Sequence, residues 1–462
     1  MKINYFNFKA FNDKILMTND LGKFVFVNKE EFRKIIEKNV DLESPVGKKL
    51  LDAKMVYDET DYEFSNVNKY DLRELKSYTN LATSLHIFVV TTVCNMSCIY
   101  CQANNGTLPS HLKMNRDIAE KAVDIALQSP TRRLTFEFQG GEPLLNFEII
   151  KHIVEYTEKN KGTHIIEYNI VSNLTLLTDE IIDFFIKYNF GVSTSLDGDK
   201  GVHDVNRPFK NGEGTYDEVV KSINRLRKKN VHVGAIETTT RYSLENPKQL
   251  VDTYVNMGFD SIFIRPLTPL GKATIGWNQM GYEAEQFVDF YKKVTDIIID
   301  YNIKGYFIKE AHATIMLKKI NGEAVNYMEL RSPCGAGIGQ MAYYSDGNIF
   351  TCDEGRMLAE MGSDSFRLGN VYDTLEYDEL MNCGVCKVTC QASVLEALPD
   401  CCECVYHPYC GVCPVINLAL EKNIYSRQAN SYRCRIYKGM LDTIFGLIYN
   451  NEKALEVFET WI

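Results

Sequence analysis

Three cysteines lie within the stretch Cys94-Asn95-Met96-Ser97-Cys98-Ile99-Tyr100-Cys101. Thiolates this close together suit a soft metal ion or an iron–sulfur cluster. A cubane held by only three cysteines leaves one iron without a protein ligand, where a small molecule could chelate and be reduced. A zinc knuckle short of one ligand, or core cysteines grouped by chance, would give the same triplet. The chain has 14 cysteines: three at 94–101, none from there to 334, and the rest from 334 onward. That distribution points to two separate metal-bearing regions, because clustered thiols in a reducing compartment bind metal or react more often than they pair.

Other residues carry chemistry of their own. Gln139-Gly140-Gly141-Glu142-Pro143 offers two glycines for close backbone approach and a carboxylate that can accept from an ammonium group. Arg241 could pair bidentately with a carboxylate or form a surface salt bridge. In the second cysteine region Cys334, Gly347 and Cys352 follow one another, then Cys401-x2-Cys404-x5-Cys410-x2-Cys413, then Cys434. Cys383, Cys386 and Cys390 have ligand-like spacing as well, and with Cys402 are open to being accessory ligands, inert thiols or a further metal site. Asp353, directly after Cys352, is either a base near a cluster or the cap of a turn.

The elements that must position these residues follow from periodicity. Apolar β-branched runs at 86–92, 134–139, 166–172, 191–196, 232–239 and 261–267 alternate with helical patterns. Such strand–helix units predict a parallel α/β architecture, with ligands at the C-terminal ends of the strands. The cysteine triplet follows the first strand, at that rim. Further helices are expected at 283–302 and 309–320. Upstream, 14–27 reads as two strands joined by a turn, Asn28 and Glu31 as the capping box of a helix, 45–54 as a second helix, and 58–80 as a linker.

The C-x3-C-x2-C spacing with Tyr100 before the last cysteine, together with Gly140-Gly141-Glu142-Pro143, resembles the radical S-adenosylmethionine (SAM) enzymes. The resemblance implies a [4Fe–4S] cluster on Cys94, Cys98 and Cys101. It implies SAM contacts from Tyr100, Gly140, Gly141, Glu142, Ser172, Asn173, Ser195, Asp197 and Arg241. The second cysteine region resembles the SPASM extension, which carries two auxiliary [4Fe–4S] clusters. Carried over, it gives Cys401, Cys404, Cys410 and Cys434 to an outer cluster and Cys334, Cys352 and Cys413 to an inner one. The family pattern ends C-x5-C-x3-C where this chain has C-x5-C-x2-C. The cysteine that completes the inner cluster in sulfatase-maturing members falls here on Met328 or Gln340, so another cysteine substitutes or one iron stays open. In those members an Asp at the position of Asp353 is the base. The stretches Cys334–Gly339, Asp353–Ala359 and Phe366–Val371, with Phe6-Asn7-Phe8 and Met17-Thr18-Asn19-Asp20, look like the His-Xaa-Ser system maturases.

The resemblance implies a partial (β/α)6 barrel at 85–325, a SPASM domain at 326–462, and at 1–84 a small winged-helix-like α+β domain with its linker. That first domain either binds a leader peptide as an added strand or caps its neighbour. The implied activity is reductive cleavage of SAM to a 5′-deoxyadenosyl radical and modification of a ribosomally made precursor peptide, most simply an intramolecular thioether crosslink. Epimerisation, formylglycine formation on a folded sulfatase, and a non-enzymatic iron–sulfur electron carrier are the alternatives. A flavodoxin- or ferredoxin-type donor is the implied electron source. A formal charge of −10 gives no basic footprint for nucleic acid. No run of eighteen apolar residues and no secretory signal is present, so the expectation is a cytoplasmic, non-membrane enzyme.

Overall fold

The computed structural model describes residues 1–57, 69–103, 112–373, 376–429 and 431–462. The first part of the linker expected at 58–80 lies outside them; its remainder holds a helix, Lys69–Leu75, and a 3₁₀ turn, Ser77–Asn80.

The first unit has five strands, β1 (Lys2–Ile3), β2 (Asn7–Phe11), β3 (Lys14–Thr18), β4 (Phe24–Val27) and β5 (Val56–Tyr57). β2, β3 and β4 form an antiparallel sheet in that order, and β1 pairs with β5. β3 and β4 are the two strands the sequence predicts; β2, Asn-Phe-Lys-Ala-Phe, was not anticipated. Asn28 and Glu31 form the expected capping box on the helix Lys29–Ile36. The helix Pro45–Asp52 has Ser44 as its cap. This unit docks onto the C-terminal region: Phe24 and Phe26 pack edge-on against Phe445. Thr18 donates to the Val405 carbonyl at 2.7 Å, and Tyr409 to that of Gly22 at 2.8 Å.

The large sheet starts with β6 (Leu85–Thr91), β7 (Arg133–Gly140), β8 (Ile165–Val171), β9 (Gly191–Ser195), β10 (Val233–Thr238) and β11 (Ser261–Arg265), followed by β12 (Lys309–Glu310). Each pairs in parallel with the next. The six predicted strands match the first six within one or two residues. β13 (Gln340–Tyr343) pairs in parallel with β6 on the opposite edge, and β14 (Asn348–Phe350) and β15 (Arg367–Asn370) continue antiparallel. The sheet is therefore continuous across the boundary expected at 325. Along β7, Leu134, Phe136 and Phe138 are fully buried under the helices, while Thr135, Glu137 and Gln139 lie half-buried on the opposite, concave face. Alternation of this kind turns every second side chain to one face.

Candidate active site at the strand ends

The triplet loop leaves β6 and is held from three sides. The 206–210 segment supports it through Ser97 N–H to the Pro208 carbonyl (2.8 Å) and Ile99 N–H to that of Asn206 (2.9 Å). From the other side Lys272 N–H donates to the Cys101 carbonyl at 2.9 Å, and Lys272 Nζ reaches Ser97 Oγ at 3.2 Å. Gly271 makes that approach possible: its φ is +57°, and a Cβ there would stand 2.5 Å from the Cys101 carbonyl. The third support is the Gly140-Gly141 turn. Gly141 N–H and Glu142 N–H donate to the carbonyls of Thr91 and Val93 at 2.8 and 2.9 Å. A Cβ on Gly140 would lie 2.3 Å from the Thr91 oxygen, and one on Gly141 2.5 Å from that of Val93. These glycines thus serve close approach to the protein's own backbone. Gly141→Ala is expected to cost about 1–3 kcal/mol through overpacking and to lower iron bound at the triplet; differential scanning and iron analysis of the reconstituted protein check this.

Glu142 is almost wholly buried. Its carboxylate accepts from Ser172 Oγ (2.7 Å), Asn173 N–H (2.8 Å) and Leu144 N–H (3.0 Å). Burial pushes it up to about 7 despite those three donors. Ser172 and Asn173 are therefore first of all partners of Glu142, and Asn173 also donates to Asn95 Oδ1 at 3.0 Å. Ser195 sits on the half-buried face of β9.

Three residues expected to contact SAM, Asp197, Tyr100 and Arg241, have protein partners here. Asp197 is fully buried and occupied by Tyr100 OH (2.6 Å), Arg207 Nε (3.0 Å), Asn206 Nδ2 (3.2 Å) and Thr238 N–H (3.2 Å). The Arg207 guanidinium also lies 5.0 Å from the Tyr100 ring centre. Asp197 and Tyr100 thereby brace the triplet loop. Arg241 is exposed and donates to the carbonyls of Gly281 and Asn278, both at 3.0 Å, so it does not turn into the concave face.

The thiols suit an iron–sulfur cluster in their chemistry. Burial pushes Cys94 up to about 12 and Cys98 to about 11, with Arg207 pulling Cys98 back, so binding must displace protons onto solvent. Arg207 Nη1 lies 3.9 Å from Cys98 Sγ. Among the described residues no three His, Cys, Asp or Glu side chains converge tightly enough for a single ion.

The second cysteine region divides as expected into two sets. Cys401, Cys404, Cys410 and Cys434 line one cavity with Arg433 and Lys438. Cys334, Cys352 and Cys413 line another, which reaches Gln102 beside the triplet. Cys352 caps the helix Asp353–Glu360 by accepting from Gly355 N–H at 3.3 Å. The capping role imagined for Asp353 falls to Cys352; Asp353 is buried and paired with Arg356. Cys383 caps the helix Gly384–Gln391, and Cys402 donates to the Pro399 carbonyl.

Sequence reasoning missed Glu137 and Gln139. On the concave face Gln139 Nε2 donates to Glu137 Oε1 at 2.6 Å; burial raises the Glu137 carboxyl, and the charge of Asp353 adds to that. The polar residues alternating through Leu134-Thr135-Phe136-Glu137-Phe138-Gln139 were the available signal. Arg207, Lys272 and Arg356 had no local signal.

A parallel half-barrel with a three-thiol loop at the C-terminal end of its first strand defines a class of cluster-dependent enzymes. Residues 88–254 match the family model described as the radical SAM superfamily. That superfamily's cofactors are a [4Fe–4S] cluster and SAM. A protein of Methanocaldococcus jannaschii without assigned function is 33% identical over 190 residues, 40% of this chain and 63% of that protein. The serine-type anaerobic sulfatase-maturating enzyme of Bacteroides thetaiotaomicron is 27% identical over 397 residues, 78% of this chain and 89% of that enzyme. The radical SAM cyclopropyl synthase TigE of Paramaledivibacter caminithermalis is 24% identical, covering 62% of each chain. Among solved structures, anSMEcpe with bound AdoMet and the Kp18Cys peptide superposes with a TM-score of 0.67 at 21% identity, over 82% of this chain and 99% of that one. Streptococcus suis SuiB bound to the precursor peptide SuiA gives 0.53 at 17%, over 92% and 98%. Likenesses at such identities speak for the fold. Among the described residues no helix is long and apolar enough to cross a membrane.

Proposed function

We propose that this radical SAM enzyme modifies a ribosomally made precursor peptide, by an intramolecular crosslink and most simply a thioether, as a relative of the His-Xaa-Ser system maturases. The observation that carries the reading is the polar concave face between the triplet and the inner cysteine set. Glu137 and Gln139 lie half-buried on the concave face of β7, and Asp353, paired with Arg356 on the helix Asp353–Glu360, is close enough for its charge to act on Glu137. When bound, the cluster and SAM supply reductive cleavage to a 5′-deoxyadenosyl radical, the species that abstracts hydrogen. The chain's residues do the rest. Cys94, Cys98 and Cys101 hold the cluster; Asp197, Arg207 and Tyr100 fix their loop; Glu142 with Ser172 and Asn173 forms the anchoring wall for the SAM amino group. Gln139 and Glu137 meet the peptide residue, and Asp353, held in place by Arg356, takes its proton. Cys334, Cys352 and Cys413, with Cys401, Cys404, Cys410 and Cys434, would hold the auxiliary clusters, which would supply an acceptor for the surplus electron; a flavodoxin- or ferredoxin-type partner is the electron donor in this reading.

Residues 1–84 serve in this reading as the leader-binding unit. β2 is an edge strand, and Lys9, Ala10, Phe11 and Asn12 line a groove whose far wall is Val288, Lys292, Thr443 and Gly446. A leader strand added along β2 would lie in it. A Cβ at Gly446 meets only Phe11 Cζ at 3.9 Å, so Gly446→Trp fills the groove without a backbone clash. It is expected to weaken binding of a labelled precursor peptide at least about tenfold in fluorescence anisotropy, with iron content unchanged.

Anaerobic incubation of reconstituted enzyme with SAM, reductant and peptides encoded beside it tests the whole reading. Loss of a hydrogen pair from the peptide supports a crosslink, and unchanged mass with deuterium uptake from heavy water indicates epimerisation instead. A second reading, formylglycine formation on a sulfatase, is favoured by the 27% identity that spans 89% of the Bacteroides enzyme. An aldehyde in a sulfatase-derived peptide, trapped by a hydrazine, would select it.

A further inference from the structure

The inner cysteine set has three thiols, and the positions at which a fourth was expected hold Met328 and Gln340. We propose that Glu354 is the fourth protein ligand of the inner auxiliary cluster, completing a three-thiolate, one-carboxylate set with Cys334, Cys352 and Cys413. The inference rests on reading those cysteines as cluster ligands.

All four residues line one cavity, and none of Cys383, Cys386, Cys390 or Cys402 lines it. Cys386 lies instead against Gly337, where an added Cβ would stand 2.9 Å from its sulfur. One other carboxylate borders the cavity, that of Glu329, and it is committed: Arg265 Nη2 lies 2.6 Å from it and Arg433 Nη2 3.7 Å. Glu354 has no such partner. Among the described residues it forms no ion pair and its carboxylate accepts from no other residue's side chain.

Glu354 stands two residues after Cys352, on the first turn of the helix Asp353–Glu360, which fixes thiol and carboxylate to one rigid element. A buried carboxyl group that accepts from no side chain is costly unless it coordinates or pairs, and the two guanidiniums of this cavity, Arg265 and Arg433, are engaged by Glu329. Oxygen is an acceptable donor to the ferric side of a cluster, although a harder one than sulfur.

The test uses the full chain carrying Cys94→Ala, Cys98→Ala and Cys101→Ala, reconstituted anaerobically, so that the auxiliary clusters alone contribute signals. ¹³C-cyanide is the probe, because it binds an iron that lacks a protein ligand and is seen as a carbon hyperfine coupling on the reduced cluster. The parent is expected to show no coupling, and Glu354→Ala to gain one or to lose about four irons per chain. Glu354→Cys should keep the iron and show no coupling. Cyanide binding to the parent would overturn the proposal. So would a Glu354→Ala protein with parental iron and no coupling, or loss of iron from the Ala and Cys variants alike. None of these readouts requires SAM or peptide, so their failure leaves the peptide-modifying reading standing. A missing peptide product, with the cyanide results as expected, would sink that reading alone.

Discussion

Replacing Cys94, Cys98 and Cys101 together with alanine is expected to abolish formation of 5′-deoxyadenosine, a fall of at least about a thousandfold, to the level without enzyme. Iron should drop by about four atoms per chain while that of the other two cysteine sets remains. The expectation follows from position. The three thiols sit on one loop at the C-terminal end of β6, gripped by the 140–142, 206–210 and 271–272 segments. The remaining cysteines lie in the two cavities or on the helices of the C-terminal region. Anaerobic chromatography of reaction mixtures with dithionite and SAM, alongside iron and sulfide assays, checks both halves. Cleavage surviving in the triple variant would show that the chemistry resides elsewhere.

The second large effect is expected at Asp197. Its carboxylate joins Tyr100, Asn206, Arg207 and the Thr238 amide behind the triplet loop, and the Asp197 side chain is wholly inaccessible. Asp197→Ala leaves the Arg207 guanidinium buried without its partner, which typically costs roughly 3–5 kcal/mol. The midpoint of thermal unfolding should fall accordingly, and the triplet should lose iron first because Tyr100 and Arg207 are freed together. Asp197→Leu combined with Arg207→Met removes both charges and is expected to recover much of the stability without recovering the iron. Calorimetry of single and double variants, each with an iron titration, separates the two effects. A single variant as stable as the parent would show the pair to be ornamental.

Much of this site was legible from spacing alone. The six parallel strands show as β-branched runs because buried parallel strands must be apolar along their length. The triplet, Gly140-Gly141-Glu142 and the later cysteine-rich region show because cluster ligands and tight turns tolerate few residue types. What spacing does not give is the set of protein partners that each rim residue meets. Arg241 and Asp197 both follow strands, yet one turns outward to the carbonyls of Asn278 and Gly281 and the other is consumed inside. Which way a side chain turns after a strand depends on partners far along the chain, and neither spacing nor periodicity encodes them.

The sequence by itself determined a series of parallel strand–helix units, three thiols after the first strand and a second cysteine-rich region; the half-barrel and the two thiol sets came only through the family resemblance. The features read directly are local, written in runs of side-chain type and in spacings shorter than a turn of loop. Only the tertiary structure decided what surrounds them. It put Arg207 behind Cys98 across 109 residues and turned Glu137 and Gln139 onto the face that Asp353 also borders. It also set Glu354 against three cysteines drawn from opposite ends of the C-terminal region. Burial makes each of these contacts consequential, because a charge taken out of water must find a partner wherever the fold brings one.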